Sequence, residues 1–269
     1  MAKSKPGRVV GTVTRKEFIT PHFVRVFLTA DELEQFANTT IGDNNKILVP
    51  PDGVKEVHFP ELNATTHEWI HPPKELAPAV RTYTHRGLNL ERKELIIDFV
   101  SHGDEGPASK WALNAKPGDQ LGILMRTDPK ELVPVADWYL LAGDATAIPV
   151  LSAVLEALPA SARGVCIIEV HGKEDEQQLP AKAAIDFVWL HNDQPQQGSR
   201  LFEEVKKVTI PEGAKFGHVA AEFNSVKNIR AYLRKEKGWT SDELYAYSYW
   251  KAGVAEDKSQ SDRQAEKNS

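Results

Sequence analysis

Arg81-Thr82-Tyr83-Thr84-His85-Arg86 is a short strand-like run that mixes two guanidinium groups with hydroxyls and rings. Tyrosine and threonine favour a pleated, half-buried strand, while the arginines ask for anionic partners. Alternation would put Arg81, Tyr83 and His85 on one face and Thr82, Thr84 and Arg86 on the other. Each face then carries a cation beside a hydroxyl or a ring, which suits a large flat ligand with a phosphate tail. A flavin dinucleotide is such a ligand. An amphipathic strand with solvated arginines accounts for these six residues equally well.

Downstream, Glu94-Leu95-Ile96-Ile97-Asp98-Phe99-Val100 reads as a strand that runs directly into Ser101-His102-Gly103-Asp104-Glu105-Gly106-Pro107-Ala108-Ser109-Lys110-Trp111-Ala112. A glycine-containing loop here leads into a short helix, with Pro107 suited to the first turn. Backbone N–H groups at such a start form an anion site, and the Ser109 hydroxyl adds a donor. A pyrophosphate fits. An ordinary turn and cap is the commoner meaning of one Gly-Pro loop, and only the pairing with the arginine-tyrosine strand raises the ligand reading above it.

The 269 residues suffice for two ordinary domains with buried cores. Charged residues are 26% and hydrophobic ones 41%, the profile of a globular protein. The apolar stretch from Trp138 to Leu158 is interrupted by Asp144, Pro149 and Glu156, so it falls short of a bilayer span. The N-terminal Lys and Arg are followed by no hydrophobic signal core. One cysteine, Cys166, stands in an apolar run that reads as a core strand and cannot form an internal disulfide. Reducing cytoplasm is the expected compartment. A net charge of -5 argues against a nucleic-acid surface.

Residues 7 to 130 alternate as short strands with turn signals between them, starting with Arg8 to Lys16, Phe23 to Leu28 and Lys46 to Val49, with one helical turn at Asp31 to Phe36. That pattern predicts a closed antiparallel barrel. Within it, His67-Glu68-Trp69-Ile70-His71 matches the zinc-protease spacing. The match requires a helix, and His71 precedes Pro72-Pro73, which pushes it away from helical dihedrals. A surface loop is the reading.

From Leu132 the pattern changes. Trp138 to Gly143 is a continuous apolar strand, Asp144-Ala145-Thr146-Ala147-Ile148-Pro149 a turn, Val150 to Leu158 apolar at helical spacing, and Val165 to Val170 a second buried strand. Such a βαβ unit builds a parallel sheet that binds ligands at strand carboxyl ends. The turn lacks the Gly-x-Gly-x-x-Gly fingerprint, so residue pattern alone gives only a weak dinucleotide site. Asp186 to Leu190 and Lys215 to Ala221 add strands, Ser225 to Lys237 reads as a basic, solvated helix, Gly238 to Gly253 is dense in aromatics, and Val254 to Ser269 is polar and expected to be disordered.

The run Arg81, Tyr83, Thr84, Arg86, the stretch Asp98-Phe99-Val100-x-His102-Gly103-Asp104-x-Gly106-Pro107-Ala108-Ser109 and the ending Tyr249-Trp250-Lys251-x-Gly253 together resemble the FAD-dependent siderophore-interacting proteins, or ferric-siderophore reductases, of the ferredoxin-reductase-like superfamily. The resemblance implies a flavin-binding barrel in residues 1–130, a parallel-sheet nicotinamide-binding domain in 131–237, an aromatic arm in 238–253 and a tail in 254–269. It implies FAD contacts at Arg81, Tyr83, Thr84, Asp98, Phe99, Val100, His102, Pro107, Ala108 and Ser109. Gly143, Asp144, Thr146 and Ala147 resemble the family's nicotinamide-binding turn, and Glu222 an acidic element facing it, although Ala221-Glu222-Phe223 departs from the usual Gly-Glu-Ala. Tyr249 and Trp250 would cover the cofactor or merely staple the second domain. Lys46, Arg126 and Lys251 would form a cationic pocket for anionic chelates, each being otherwise an ordinary surface cation.

The resemblance thus implies a cytoplasmic flavoenzyme that takes hydride from NADH or NADPH onto FAD and passes electrons to ferric iron in a siderophore, releasing Fe(II). Lys173 after the second strand is opposed by Glu174 and Asp175, which leaves the choice of nucleotide open. No residue is assigned a catalytic role, and no metal ligands, membrane or nucleic-acid partner are expected. A monomer is carried as the expectation, although the sequence leaves oligomeric state open. The rivals are an NAD(P)H-flavin oxidoreductase serving a protein or free flavin, and a non-catalytic siderophore-binding protein.

Overall fold

A computed structural model describes residues 6–101 and 106–267. Contacts divide the chain into two compact units, Met1–Lys130 and Glu131–Ser269.

The first unit contains β1 (Gly7–Thr20), β2 (Phe23–Thr29), β3 (Asn44–Val49), a small hairpin of β4 (Glu61–Leu62) and β5 (Trp69–Ile70), then β6 (Ala79–Thr84), β7 (Gly87–Asn89), β8 (Glu94–Val100), helix α1 (Pro107–Asn114) and β9 (Gln120–Met125). Seven strands form one antiparallel sheet in the order β6-β3-β9-β1-β2-β8-β7. Its concave side is filled by Val9, Val13, Val24, Val26, Leu28, Ile47, Val49, Ile97, Leu121 and Ile123, with Ala108 and Ala112 of α1 packed on it. Period-2 apolar residues along every strand produce that one-sided core.

The expected closed barrel is a half-barrel. Among the described residues β6 pairs with β3 and β7 with β8, so the two end strands, consecutive in the chain, are not paired with each other. The link His85-Arg86 spans the gap. His85 exchanges backbone bonds with Asp43 O and Gly42 N, both 2.8 Å, while Arg86 N donates to Ile96 O at 3.2 Å. The strand alternation that would place His85 beside Arg81 and Tyr83 therefore stops at Thr84, because the backbone turns to serve both sheet ends.

The second unit contains β10 (Trp138–Asp144), α2 (Ile148–Ala157), β11 (Arg163–Val170), β12 (Ala184–His191), α3 (Leu201–Lys207), β13 (Lys215–Glu222), α4 (Phe223–Ala231), β14 (Leu244–Trp250) and α5 (Glu256–Lys267). Its five strands are all parallel, in the order β12-β11-β10-β13-β14. β10 is the innermost and first, and the order reverses between it and β13. Ligands of open α/β sheets bind at such a switch point, outside the strand carboxyl ends. Gly143 is required there: a Cβ would stand 2.4 Å from Ala147 Cβ and 2.6 Å from Ala220 O.

Two expectations change. The basic Ser225 to Lys237 segment is not simply solvated, since Val226, Ile229, Tyr232 and Leu233 are buried and Arg230, 4% exposed, donates to Ala246 O. α4 continues into a π-turn at Tyr232–Glu236, which rotates the stripe back onto the core. The tail expected to be disordered is α5. Composition does not reveal its tertiary contacts, chief among them Arg263, 3% exposed, which donates to Tyr249 O at 2.6 Å and Ser248 O at 3.3 Å. Among the described residues no helix is long and apolar enough to cross a membrane.

His85 makes the half-barrel's stability depend on pH. The imidazole is 1% exposed, its Nε2 pairs with Thr39 Oγ1 at 3.1 Å, and burial pushes its pKa down to about 4. The folded protein excludes a proton that the unfolded chain takes up near pH 6.5, so stability is full above that value and is lost as pH falls towards 4. The difference amounts to roughly 3 kcal/mol. Urea midpoints between pH 7 and pH 4 should therefore fall, and His85→Gln should flatten the decline; an equal decline in the variant would place the titrating group elsewhere.

Candidate functional site

In the first unit, three rings join the two stretches singled out in the sequence. Tyr83 of β6 lies 4.7 Å from Phe99 of β8, and Phe99 lies 5.7 Å from Trp111 of α1, both pairs tilted. Tilted rings at such distances are favourable beyond the area they bury. Phe99 is 1% exposed, whereas Tyr83 is half-buried. The contact thus sets the Arg81-Tyr83 strand beside the helix whose first turn is Pro107-Ala108-Ser109.

That first turn fits an anion. Gly106 at φ 99 delivers the chain into the helix, and the first intrahelical bond runs from Lys110 N to Gly106 O at 3.2 Å. The amides of Ala108 and Ser109 stand in the first turn, where backbone N–H groups face the helix start and favour an anion. Ala108 is 6% and Ser109 2% exposed. A half-buried phenol, a half-buried guanidinium at Arg81 and a helix start form a donor set that matches a flat ring system with a diphosphate. His102 lies outside the described residues.

Other expected FAD residues act through neighbours. The Asp98 carboxylate accepts from Arg25 Nε and Nη2 at 2.7 and 2.8 Å, with Arg86 Nε at 3.6 Å, so its side chain is engaged by the protein. Phe99 presents no open face. Thr84 is buried, and Val100 sits half-buried at the end of β8. Sequence reading missed Asn45, which stands opposite Tyr83 on β3 and is 2% exposed. Neither atom of its amide has a hydrogen-bond partner among the described residues. Leaving such a group unpaired costs about 1–3 kcal/mol, so it marks a place where a ligand or water atom belongs. Its signal in the sequence was only a polar Asn44-Asn45-Lys46 start to the apolar Ile47-Leu48-Val49 run.

Lys46 pairs in register with Thr82 and Leu124, its Nζ 2.5 Å from Thr82 Oγ1. Arg126 is exposed, two residues beyond Leu124. Lys251 belongs to the second unit, where its Nζ meets Asp262 Oδ2 at 2.6 Å and lies 4.8 Å from the Phe223 ring centre.

The zinc-protease spacing falls on a hairpin. His67 occupies its turn at φ 58, and Trp69–Ile70 is β5, so the two histidines lack the helix that would bring them together. His71 instead lines a cavity of about 660 Å³ with Arg8, His58, Phe59, Ile70 and Pro72. Changing His67 and His71 to Ala should leave FAD content and metal content unchanged by absorption and elemental analysis; stoichiometric zinc lost in the double variant would contradict this.

In the second unit the expected turn is organised by one carboxylate. Asp144 Oδ1 accepts from Thr146 N at 2.9 Å and Thr146 Oγ1 at 2.5 Å, and Oδ2 from Glu222 N at 2.9 Å and Trp250 Nε1 at 2.8 Å. Burial pushes the Asp144 carboxyl upward, opposed by those hydrogen bonds. Glu222 accepts from Asn224 N at 2.6 Å, Ser225 N at 3.4 Å and Ala252 N at 3.3 Å. The ends of β10, β13 and β14 are so joined at the switch point, bringing Gly143, Asp144, Thr146, Ala147, Glu222 and Trp250 together. Tyr249 packs edge-on against Tyr247, ring centres 6.4 Å apart. Asp144→Ala should leave three N–H donors unpaired, those of Thr146, Glu222 and Trp250, lowering stability by about 3 kcal/mol. Hydrogen exchange at the Trp250 indole should accelerate at least about tenfold; unchanged exchange would show that Asp144 does not hold it.

A half-barrel antiparallel sheet followed by a five-stranded parallel sheet defines the ferredoxin-reductase-like class. A ferredoxin NADP+ reductase from Neisseria gonorrhoeae with bound FAD and NADP aligns over 92% of this chain and 99% of its own at a TM-score of 0.59; at 11% identity this shows the fold alone. Residues 12–129 match the siderophore-interacting FAD-binding domain and residues 136–253 the siderophore-interacting protein model. The chain belongs to the siderophore-interacting protein family. It is 34% identical over 245 residues to the ferric vibriobactin reductase ViuB of Vibrio cholerae serotype O1, covering 90% of this chain and 89% of that one. The crystal structure of the siderophore-interacting protein SipS from Aeromonas hydrophila aligns at 30% identity and a TM-score of 0.82, over 98% of this chain and 99% of that one.

Proposed function

We propose that the protein is an FAD-dependent reductase of ferric siderophores, drawing on NADH or NADPH and releasing iron as Fe(II). The observation that carries the reading is the aromatic contact that sets Arg81 and Tyr83 beside the first turn of α1, since together they present what a flavin dinucleotide needs. The likeness to a ferric vibriobactin reductase supports the choice of acceptor. Bound FAD supplies a centre that accepts an electron pair and can release electrons singly.

In this reading Tyr83 would lie against the flavin ring, Arg81 would hold its polar edge and phosphate with Thr84 supporting the strand from its buried side, and the first turn of α1 would receive the diphosphate. Asp98 keeps Arg25 and Arg86 in place beneath that strand. At the switch point, Asp144 and Glu222 put two carboxylates where the Gly-rich fingerprint would offer amides. That edge favours the neutral nicotinamide end of the donor over its pyrophosphate. Trp250, held by Asp144, closes the same edge. Lys46 and Arg126 of the first unit, and separately Lys251 of the second, would each attract an anionic chelate, and Fe(II), once formed, is held weakly by hard oxygen ligands and leaves.

Arg81→Ala should remove a charge-assisted hydrogen bond worth about 1.5–3 kcal/mol and weaken FAD binding about tenfold or more. Fluorescence titration of apoprotein with FAD measures it. Wild-type protein that cannot be loaded with FAD would overturn the proposal.

A further inference from the structure

Lys251 does not offer a bare ammonium. Its partner Asp262 comes from α5, and the helix is fastened by the neighbouring residue: Arg263 reaches Ser248 O and Tyr249 O, with Nη2 3.8 Å from Glu256. Ser259, one turn earlier, is buried as well. The anchor and the ion pair differ in kind. The Arg263 side chain is 4% exposed, whereas Lys251 and Asp262 are 28% and 53% exposed. A pair so accessible to water is weak and exchangeable, while the helix that delivers it stays in place.

We propose that Asp262 is a specificity-determining residue for the ferric-chelate substrate, its carboxylate holding the ammonium that an anionic group of the chelate must take over. The inference rests on the reading of Lys251 as a substrate contact. With Asp262 in place the pair is neutral, so Lys251 adds attraction only when the incoming anion outcompetes one carboxylate, which then stays nearby as a like charge. Strongly anionic chelates are thereby held in check relative to neutral ones, and the penalty grows as salt is removed. Phe223, under the ammonium, keeps Lys251 at its station when Asp262 is displaced.

The test uses the full-length, FAD-loaded protein and two redox-inert probes, trianionic gallium(III) tris(catecholate) and a neutral gallium(III) trihydroxamate, titrated calorimetrically at low salt. Asp262→Asn should tighten the trianionic probe about two- to five-fold, the range of one exposed ion pair. It should leave the neutral probe unchanged and act more weakly in a Lys251→Met background, where only the carboxylate's own repulsion is removed; Asp262→Ser, which also removes the charge, should repeat the pattern. Equal effects on both probes, an effect undiminished in Lys251→Met, or no change in affinity for the trianionic probe would overturn the assignment. Gallium is not reduced, so the expected pattern in a protein that fails to reduce the ferric counterpart would overturn the reductase reading and leave Asp262's role standing.

Discussion

Phe99 sits between Tyr83 and Trp111, and the arrangement of the first unit depends on that sandwich. A strand that carries guanidinium and phenol groups has no inherent reason to lie next to a helix start. Burial of one ring at the end of β8 supplies it, because both neighbours gain apolar contact only when β6 and α1 converge. The polar groups that matter are then placed by apolar packing. The Arg25–Asp98 pair beneath them, with its carboxylate buried and its guanidinium half-buried, fixes β2 against β8, and removing the arginine leaves an uncompensated buried charge.

The second unit reaches a similar end by polar means. Its inner strands are largely apolar along their middles and would converge on a featureless edge. Asp144 and Glu222, at the ends of the two strands flanking the switch point, accept seven donors between them from the turn, β13, α4 and the arm. A buried carboxylate is stable only with such company. The arrangement spends helix-start amides on the chain's own carboxylates, so this edge lacks the open phosphate cradle of a Gly-rich loop.

What could be read in the sequence was local. Glu94–Val100 is a strand with the bounds its residues suggested, Pro107 does open a helix, and β10, α2 and β11 follow the strand-turn-helix-strand order of Trp138 to Val170. What escaped was set by distant partners. His85 leaves its strand because Asp43 and Gly42 hold its backbone, and nothing within residues 81–86 announces them. Trp250 and Asp144 are 106 residues apart, so their bond has no footprint in either segment. The tail has the composition of a disordered segment, and its tertiary contacts, chief among them that of Arg263, change the outcome. Aromatic density around Tyr249 was visible, whereas its use as the fifth strand of a sheet depended on a neighbour, β13, that only the fold supplies.

The measurement closest to the central claim is anaerobic absorption spectroscopy of the FAD-loaded protein, with a ferrous-specific chromogenic chelator present. NADH or NADPH should bleach the flavin bands, and a ferric siderophore added next should restore them while the ferrous complex appears in proportion. Bleaching that free flavin or a carrier protein reverses but a ferric siderophore does not would contradict the account.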